Sequence, residues 1–151
     1  LCPHQEIRMN HNELGDGDAV ALARVLGDGD APNLEHLWLG GNFIGDAGAA
    51  ALARALHPGS HCECSLTLVA LYSNEIGDAG AEALARALED RAAAAEGRGH
   101  DGYGPLPPVS LMLFGHRIER ADLLERLRRL PGVRMQESGS AHGSPTYRRI
   151  I

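Results

Sequence analysis

Three groups of residues in this 151-residue chain have types and spacing that could do chemistry. The first is His57-Pro58-Gly59-Ser60-His61-Cys62-Glu63-Cys64, where imidazoles and thiols, donor types that zinc prefers, fall close together. The tight Cys-x-Cys pair matches no standard zinc module, so the segment reads first as a loop. A metal site and a redox-sensitive thiol pair are the sharper alternatives, and the role of His57, His61, Cys62 and Cys64 stays open. The second group, Gly15-Asp16-Gly17-Asp18 and Asp28-Gly29-Asp30, resembles calcium-ligand runs, but neither opens a loop closed by the Glu such a site needs. The third is Arg8, His36, Trp38, Tyr72, Met112 and Phe114, with aromatic and Arg types that dominate binding hot spots. All 14 basic residues are Arg, so a phosphate loop ending in Lys is excluded, and no Gly-x-Ser-x-Gly elbow occurs. No nucleophile lies near a base in the pattern. The expectation is a non-enzyme with no cofactor and no metal.

The elements that must position these residues repeat along the chain. Asn42-Phe43-Ile44-Gly45-Asp46-Ala47-Gly48-Ala49 matches Asn74-Glu75-Ile76-Gly77-Asp78-Ala79-Gly80-Ala81 at seven of eight positions, and a third copy begins at Asn12. Each copy runs on into the same helical pattern: Leu22-Ala23-Arg24 with Leu26, Leu52-Ala53-Arg54 with Leu56, Leu84-Ala85-Arg86 with Leu88. Before each Asn stands a strand-period segment: Ile7-x-Met9, Leu34-x-x-Leu37-x-Leu39, Leu66-x-x-Val69-x-Leu71, and a weaker Leu111-x-Leu113 ahead of His116. Strand period followed by helix period makes each unit one short strand and one helix.

This spacing is the leucine-rich repeat signature. The Asn-x-Ile-Gly-Asp-x-Gly-Ala motif followed by Ala-Leu-Ala-Arg-Ala-Leu resembles the ribonuclease-inhibitor-like class, which includes the repeat domains of NOD-like receptors and Ran GTPase-activating proteins. The resemblance implies an α/β leucine-rich repeat solenoid of about four repeats, a short horseshoe arc with a parallel β-sheet on the concave face and α-helices on the convex face. It covers residues 1–135, with units near 4–30, 34–64, 66–107 and 108–131 and an insertion at 89–107. Residues 136–151 lack periodicity and read as a disordered tail. The resemblance also implies that Asn12, Asn42 and Asn74 stack into a ladder of buried amides, with His116 of different shape at the fourth position.

Several positions have a structural reading of their own. Gly15, Gly45 and Gly77 suit tight turns, and Asp16, Asp46 and Asp78 fall at the helix starts, where a carboxylate caps free N–H groups. The alanines allow close helix–strand packing. Arg24, Arg54 and Arg86 form a row expected on the convex helices. The Ala run after Arg91 would lengthen the third helix, and Val133-Arg134-Met135 would add an edge strand.

Charge bounds the partners. Residues 1–90 hold fourteen acids against four Arg, a net of −10, and residues 91–151 hold six acids against ten Arg, a net of +4. The overall −6 argues against wrapping nucleic acid, and no apolar run is long enough for a membrane helix. Three cysteines cannot form a paired disulfide framework, so the chain is expected to be cytoplasmic. The chain opens on Leu1 and shows a polar cap only at its C-terminal side, so a piece of a longer solenoid is expected.

In each Leu-x-Leu the leucines face the core and the residues between them face the open concave side. That alternation exposes Arg8, His36, Trp38, Tyr72, Met112 and Phe114, as well as Leu68 and Ala70. Trp38, Tyr72 and Phe114 would form one aromatic patch. The function expected is a protein-interaction module that binds a protein partner of unknown identity through this face. The resemblance leaves two alternatives: a GTPase-activating regulator with a Ran-like small GTPase as partner, and the sensing arm of a NOD-like receptor.

Overall fold

A computed structural model describes residues 5–58, 65–97 and 108–135. Strands and helices alternate: β1 (Gln5–Arg8), α1 (Asp16–Gly27), β2 (Leu34–Trp38), α2 (Asp46–Leu56), β3 (Leu68–Ala70), α3 (Asp78–Gly97), β4 (Ser110–Met112), α4 (Ala121–Arg129) and β5 (Val133–Arg134). The strands form one parallel sheet in chain order, β1-β2-β3-β4-β5. The edge strand expected at Val133-Arg134 is present, and the Ala run does lengthen α3, which has 20 residues against 11 in α2.

The core lies between the sheet and the helices. Leu37, Leu39, Leu71, Leu111 and Leu113 from the strand segments meet Leu52, Leu56, Leu84 and Leu123 from the helices, and Ile44 and Ile76 plug the turns between. All are less than 2% exposed. This is the outcome of a strand period that turns alternate leucines inward, joined to a helix whose leucines recur on one stripe.

The aspartates do something the sequence reading did not foresee. Asp16 caps the helix of the next repeat: the Gly45 and Gly48 N–H groups both donate to its Oδ1 at 2.8 Å. Asp46 does the same for Gly77 and Gly80, at 2.8 and 2.9 Å. Asp78 accepts from Glu119 and Arg120, at 2.9 and 3.1 Å, so the fourth unit is capped although it has lost its own Gly-Asp. The free N–H groups of one helix start are thereby satisfied by a neighbouring carboxylate, which also sits at the positive end of the helix dipole.

That arrangement draws the helix starts together. A Cβ on Gly48 would lie 2.7 Å from Asp16 Oδ1 and 2.9 Å from the Ala19 Cβ. Gly80 meets Asp46 and Ala49 in the same way. The second glycine of each Gly-Asp-Ala-Gly is therefore a packing glycine between helices.

The last unit is held by charge as well as by leucines. Arg126 of α4 reaches across to α3, binding Glu82 at 2.7 Å and clasping both carboxylate oxygens of Glu89. Arg126 is raised above its ordinary value, chiefly by Glu89 and then by Glu82. Both glutamate carboxyls are held below theirs, chiefly by hydrogen bonds from Arg126, against desolvation that pushes them up. Farther along α3, Arg91 is 4% exposed, and its Nη1 donates to the Leu56 carbonyl at the end of α2, at 3.4 Å. Burial lowers its pKa.

Two tests follow from this packing. Gly48→Ala should destabilise the fold by about 1–3 kcal/mol, the usual cost of overpacking. Gly17→Ala, where a Cβ meets nothing within 4 Å, should leave stability unchanged or raise it by about 0.4–1 kcal/mol. Thermal melts of the two variants check the contrast. The second test is Arg126→Ala. A carboxyl whose folded pKa lies below its unfolded one adds stability above the unfolded value, and that stability is lost as pH falls through the folded value. The Tm deficit of the variant should therefore be full at neutral pH and should close as pH drops below about 4.5, the ordinary value for Glu82 and Glu89. A deficit that persists undiminished in acid would rule out the carboxylate pairing as its cause.

Candidate functional site

The parallel register fixes which side chains share the open face of the sheet. One row runs Arg8, Trp38, Ala70, Met112, Arg134, and a second runs Glu6, His36, Leu68, Ser110. Backbone bonds beyond the strands extend the register by two residues: His11 N donates to Gly40 O, Gly41 N to Tyr72 O and Ser73 N to Phe114 O. A third row therefore runs Asn10, Gly40, Tyr72, Phe114.

The sequence reading placed Trp38, Tyr72 and Phe114 in one patch. The register separates them into two rows, because Trp38 stands between its two leucines whereas Tyr72 and Phe114 follow theirs. Tyr72 and Phe114 are neighbours and stack, with ring centroids 5.0 Å apart and planes 8° from parallel. Trp38 sits diagonally from them across Ala70. Ala70 was also expected to be exposed, yet its exposure is 0%, so its larger neighbours close over it. Trp38, Leu68, Tyr72, Met112 and Phe114 are half-buried around it and present a continuous apolar centre.

Glycines shape this surface. A Cβ on Gly40 would lie 2.1 Å from Tyr72 Cζ, so the Tyr72 ring rests directly on the backbone of the preceding unit. Gly41, at φ +68°, carries the His11 ring in the same way, with Nδ1 2.2 Å from where a Cβ would be. The chain leaves each of the first four strands through a left-handed residue just before the Asn position or its equivalent: His11, Gly41, Ser73 and Gly115. Two are glycines, and His11 and Ser73 accept the backbone strain that a side chain brings there.

A polar rim borders the apolar centre. On the β1 side Arg8 pairs with Glu6 at 2.8 Å, and His36 Nδ1 lies 3.8 Å from the same carboxylate. Glu6 is held below its ordinary value chiefly by the hydrogen bond from Arg8, with Trp38 contributing less. The Trp38 Nε1 itself is shut off from solvent without a well-formed hydrogen bond. Asn10 Oδ1 accepts from Gly40 N at 2.8 Å. On the β5 side stands exposed Arg134. The sequence reading missed Arg134 as a surface residue, although the alternation Val133-Arg134-Met135 turns it to the open face.

Beneath the rim, amides join the turns. Asn42 is 4% exposed; its Oδ1 accepts from Asn12 N and Leu14 N, and its Nδ2 donates to Met9 O and Leu39 O, all within 3.1 Å. Asn74, 6% exposed, accepts from Ile44 N at 3.0 Å and donates to Leu39 O and Leu71 O. Asn12, by contrast, is exposed, and its amide donates to Asn10 O in its own unit. His116 does not continue the pattern across units. Its Nδ1 accepts from Ile118 N at 3.3 Å, and burial lowers its pKa.

The helix face offers less. A groove of about 620 Å³ between α2, α3 and the start of α4 is floored by alanines and ringed by charges. Those charges largely answer one another: Arg86 and Arg120 pair with Glu82, and His57 Nε2 lies 3.3 Å from Asp90. Arg24, Arg54 and Arg86 are all exposed, as a solvated row would be. Phe43, 59% exposed, is an apolar surface residue that the repeat comparison passed over because it occupies a variable position. Among the described residues no group of three His, Cys, Asp or Glu is placed to hold a metal, and no helix is long and apolar enough to cross a membrane. His61, Cys62 and Cys64, part of the insertion, and the tail 136–151 lie outside the described residues.

Two segments, residues 30–53 and 63–85, match the family model described as Leucine Rich repeat. The fold is a leucine-rich repeat solenoid. Among solved structures it is similar to the actin-binding site 2 of leiomodin-1, with a TM-score of 0.59 over 88% of this chain and 70% of that one. Sequence identity is 16%, so the likeness is one of fold. No curated protein is significantly similar to the chain in sequence.

The repeat geometry around Tyr72 makes a sharp prediction. Gly40→Ala must push the Tyr72 ring off the backbone and out of its stack. The ring-current shifts of the Phe114 protons should collapse, while far-UV circular dichroism stays that of the parent. Unchanged Phe114 shifts would place the ring somewhere other than over Gly40.

Proposed function

We propose that this leucine-rich repeat chain is a protein-interaction module that binds its partner on the open, concave face of the sheet. The observation that carries the reading is the anatomy of that face. An apolar centre of Trp38, Leu68, Tyr72, Met112 and Phe114 is ringed by Glu6, Arg8, His36 and Arg134, and a buried core with a polar rim is how protein interfaces are built. Clustered, partly exposed apolar residues mark interaction surfaces. Arg8, His36, Trp38, Tyr72, Met112 and Phe114 are the contact residues in this reading, and Asn42 and Asn74 hold the turns that carry them.

The α-helices in every repeat, 11 residues or longer in the first three, support placing the chain in the ribonuclease-inhibitor-like class. Within that class no feature of the described residues favours a small GTPase or a receptor arm over another protein. Leiomodin-1 contributes one named candidate, since the similar structure is an actin-binding site.

The test is capture of partners from a cell extract, with purified actin as a separate arm. The baits are the parent chain, Trp38→Ala and Arg54→Glu, each checked for folding by circular dichroism. Truncating a central aromatic anchor costs ~2 kcal/mol or more, so affinity should fall about thirtyfold with Trp38→Ala. Arg54→Glu, on the helix face, should bind as the parent does. A partner lost with Arg54→Glu but kept with Trp38→Ala would move the site to the convex side.

A further inference from the structure

The rim of the concave face is not balanced. On the β1 side the rim groups Arg8, His36 and Asn10 have partners within the chain: Arg8 with Glu6, His36 beside the same carboxylate, Asn10 with the Gly40 N–H. On the β5 side Arg134 is exposed, lies in register with Met112, and has no ion pair or hydrogen-bonded side chain among the described residues. The other α4-side cations differ from it: Arg126 is held by Glu82 and Glu89, Arg120 by Asp122 and Glu82, and Arg129 by Glu125. Met112 and Phe114 thus end the apolar centre against one open guanidinium.

From this we infer that the partner is a protein segment that sets apolar side chains on the Trp38–Met112 strip and a side-chain carboxylate on Arg134. The inference rests on the concave-face reading above. Charge complementarity decides the chemistry: a guanidinium at an interface rim, whose planar fork suits a carboxylate, selects an Asp or Glu and discriminates against a Lys or Arg. Strand spacing sets the geometry. Strands lie about 4.8 Å apart, so Trp38 and Met112 are separated by about 10 Å and Trp38 and Arg134 by about 14 Å across the sheet. The segment therefore carries its acid beyond the last apolar anchor, by about one strand spacing, at the end lying toward β5.

The probe is a displayed library of random peptides, panned on the parent chain, on Arg134→Glu and on Trp38→Ala. The parent should enrich peptides with apolar anchors followed or preceded by Asp or Glu on one side only. Arg134→Glu should enrich the same anchors with Lys or Arg in the acidic place, and should bind the parent's peptides about tenfold more weakly. Added salt should weaken the parent's binding and leave that of Arg134→Gln almost unchanged, because the pair is at the rim. Anchored peptides that show no acidic preference and bind Arg134→Glu as well as the parent would overturn this inference while leaving the concave site intact. Enrichment indifferent to Trp38→Ala would overturn both. Arg134 is exposed at the edge strand, so its variants keep the fold, which circular dichroism verifies.

Discussion

The N–H groups that open α2, α3 and α4 are satisfied from outside their own repeat. Asp16 serves Gly45 and Gly48, Asp46 serves Gly77 and Gly80, and Asp78 serves Glu119 and Arg120. At the strand end of the same turns Asn42 and Asn74 do likewise, each bonding to backbone of the unit before it. A single repeat would leave these buried donors and acceptors unpaired, at a cost of about 1–3 kcal/mol for each group. Stacking is therefore required by hydrogen bonding as much as by the apolar core, and the spacing between repeats is set to the length of a hydrogen bond at both ends of each strand-to-helix turn.

That spacing is what gives the concave face its shape. Units held this closely leave little room over the sheet, and the second unit answers with Gly40 and Gly41. The Tyr72 ring lies on the first and the His11 ring on the second. Tyr72 is thereby levelled against Phe114 instead of standing free, and Ala70 disappears beneath its neighbours. A flat, preordered apolar surface loses little side-chain entropy when a partner covers it, which favours binding over a surface of loose rings.

Much of this was legible in the sequence, and the limit is physical. The repeat period, the strand-then-helix order and the inward leucines are local patterns, so they could be read directly. The strand row of each surface residue was also on the page: Trp38 precedes Leu39, whereas Tyr72 follows Leu71, an offset of two positions. What could not be read was which repeat an interaction belongs to. An aspartate recurring at the helix start looks the same whether it caps its own helix or the next, since the period is identical in both cases. The packing role of Gly48 and Gly80 is hidden for the same reason, because it depends on the distance between helices. Arg126 belongs to a different unit from Glu82 and Glu89, and the three follow no repeat, so no periodic signal joins them.

The uneven charge along the chain takes on a different meaning once the partners are placed. Residues 91–151 carry a net of +4, yet among the described residues most of their arginines are committed within the chain. Arg126 fastens α4 to α3, Arg120 ties the start of α4 to Glu82, Arg117 meets Glu75 at 3.3 Å and Arg91 is buried beside the end of α2. The acidic earlier repeats and the basic last one are complementary halves of one solenoid, and the end repeat is sealed by charge where the leucine stripe alone is short. A cation left out of that sealing is then more informative than the net charge, because the pairing that accounts for the others does not account for it. Arg134 is such a cation, and the register puts it beside Met112 on the face where the apolar centre ends.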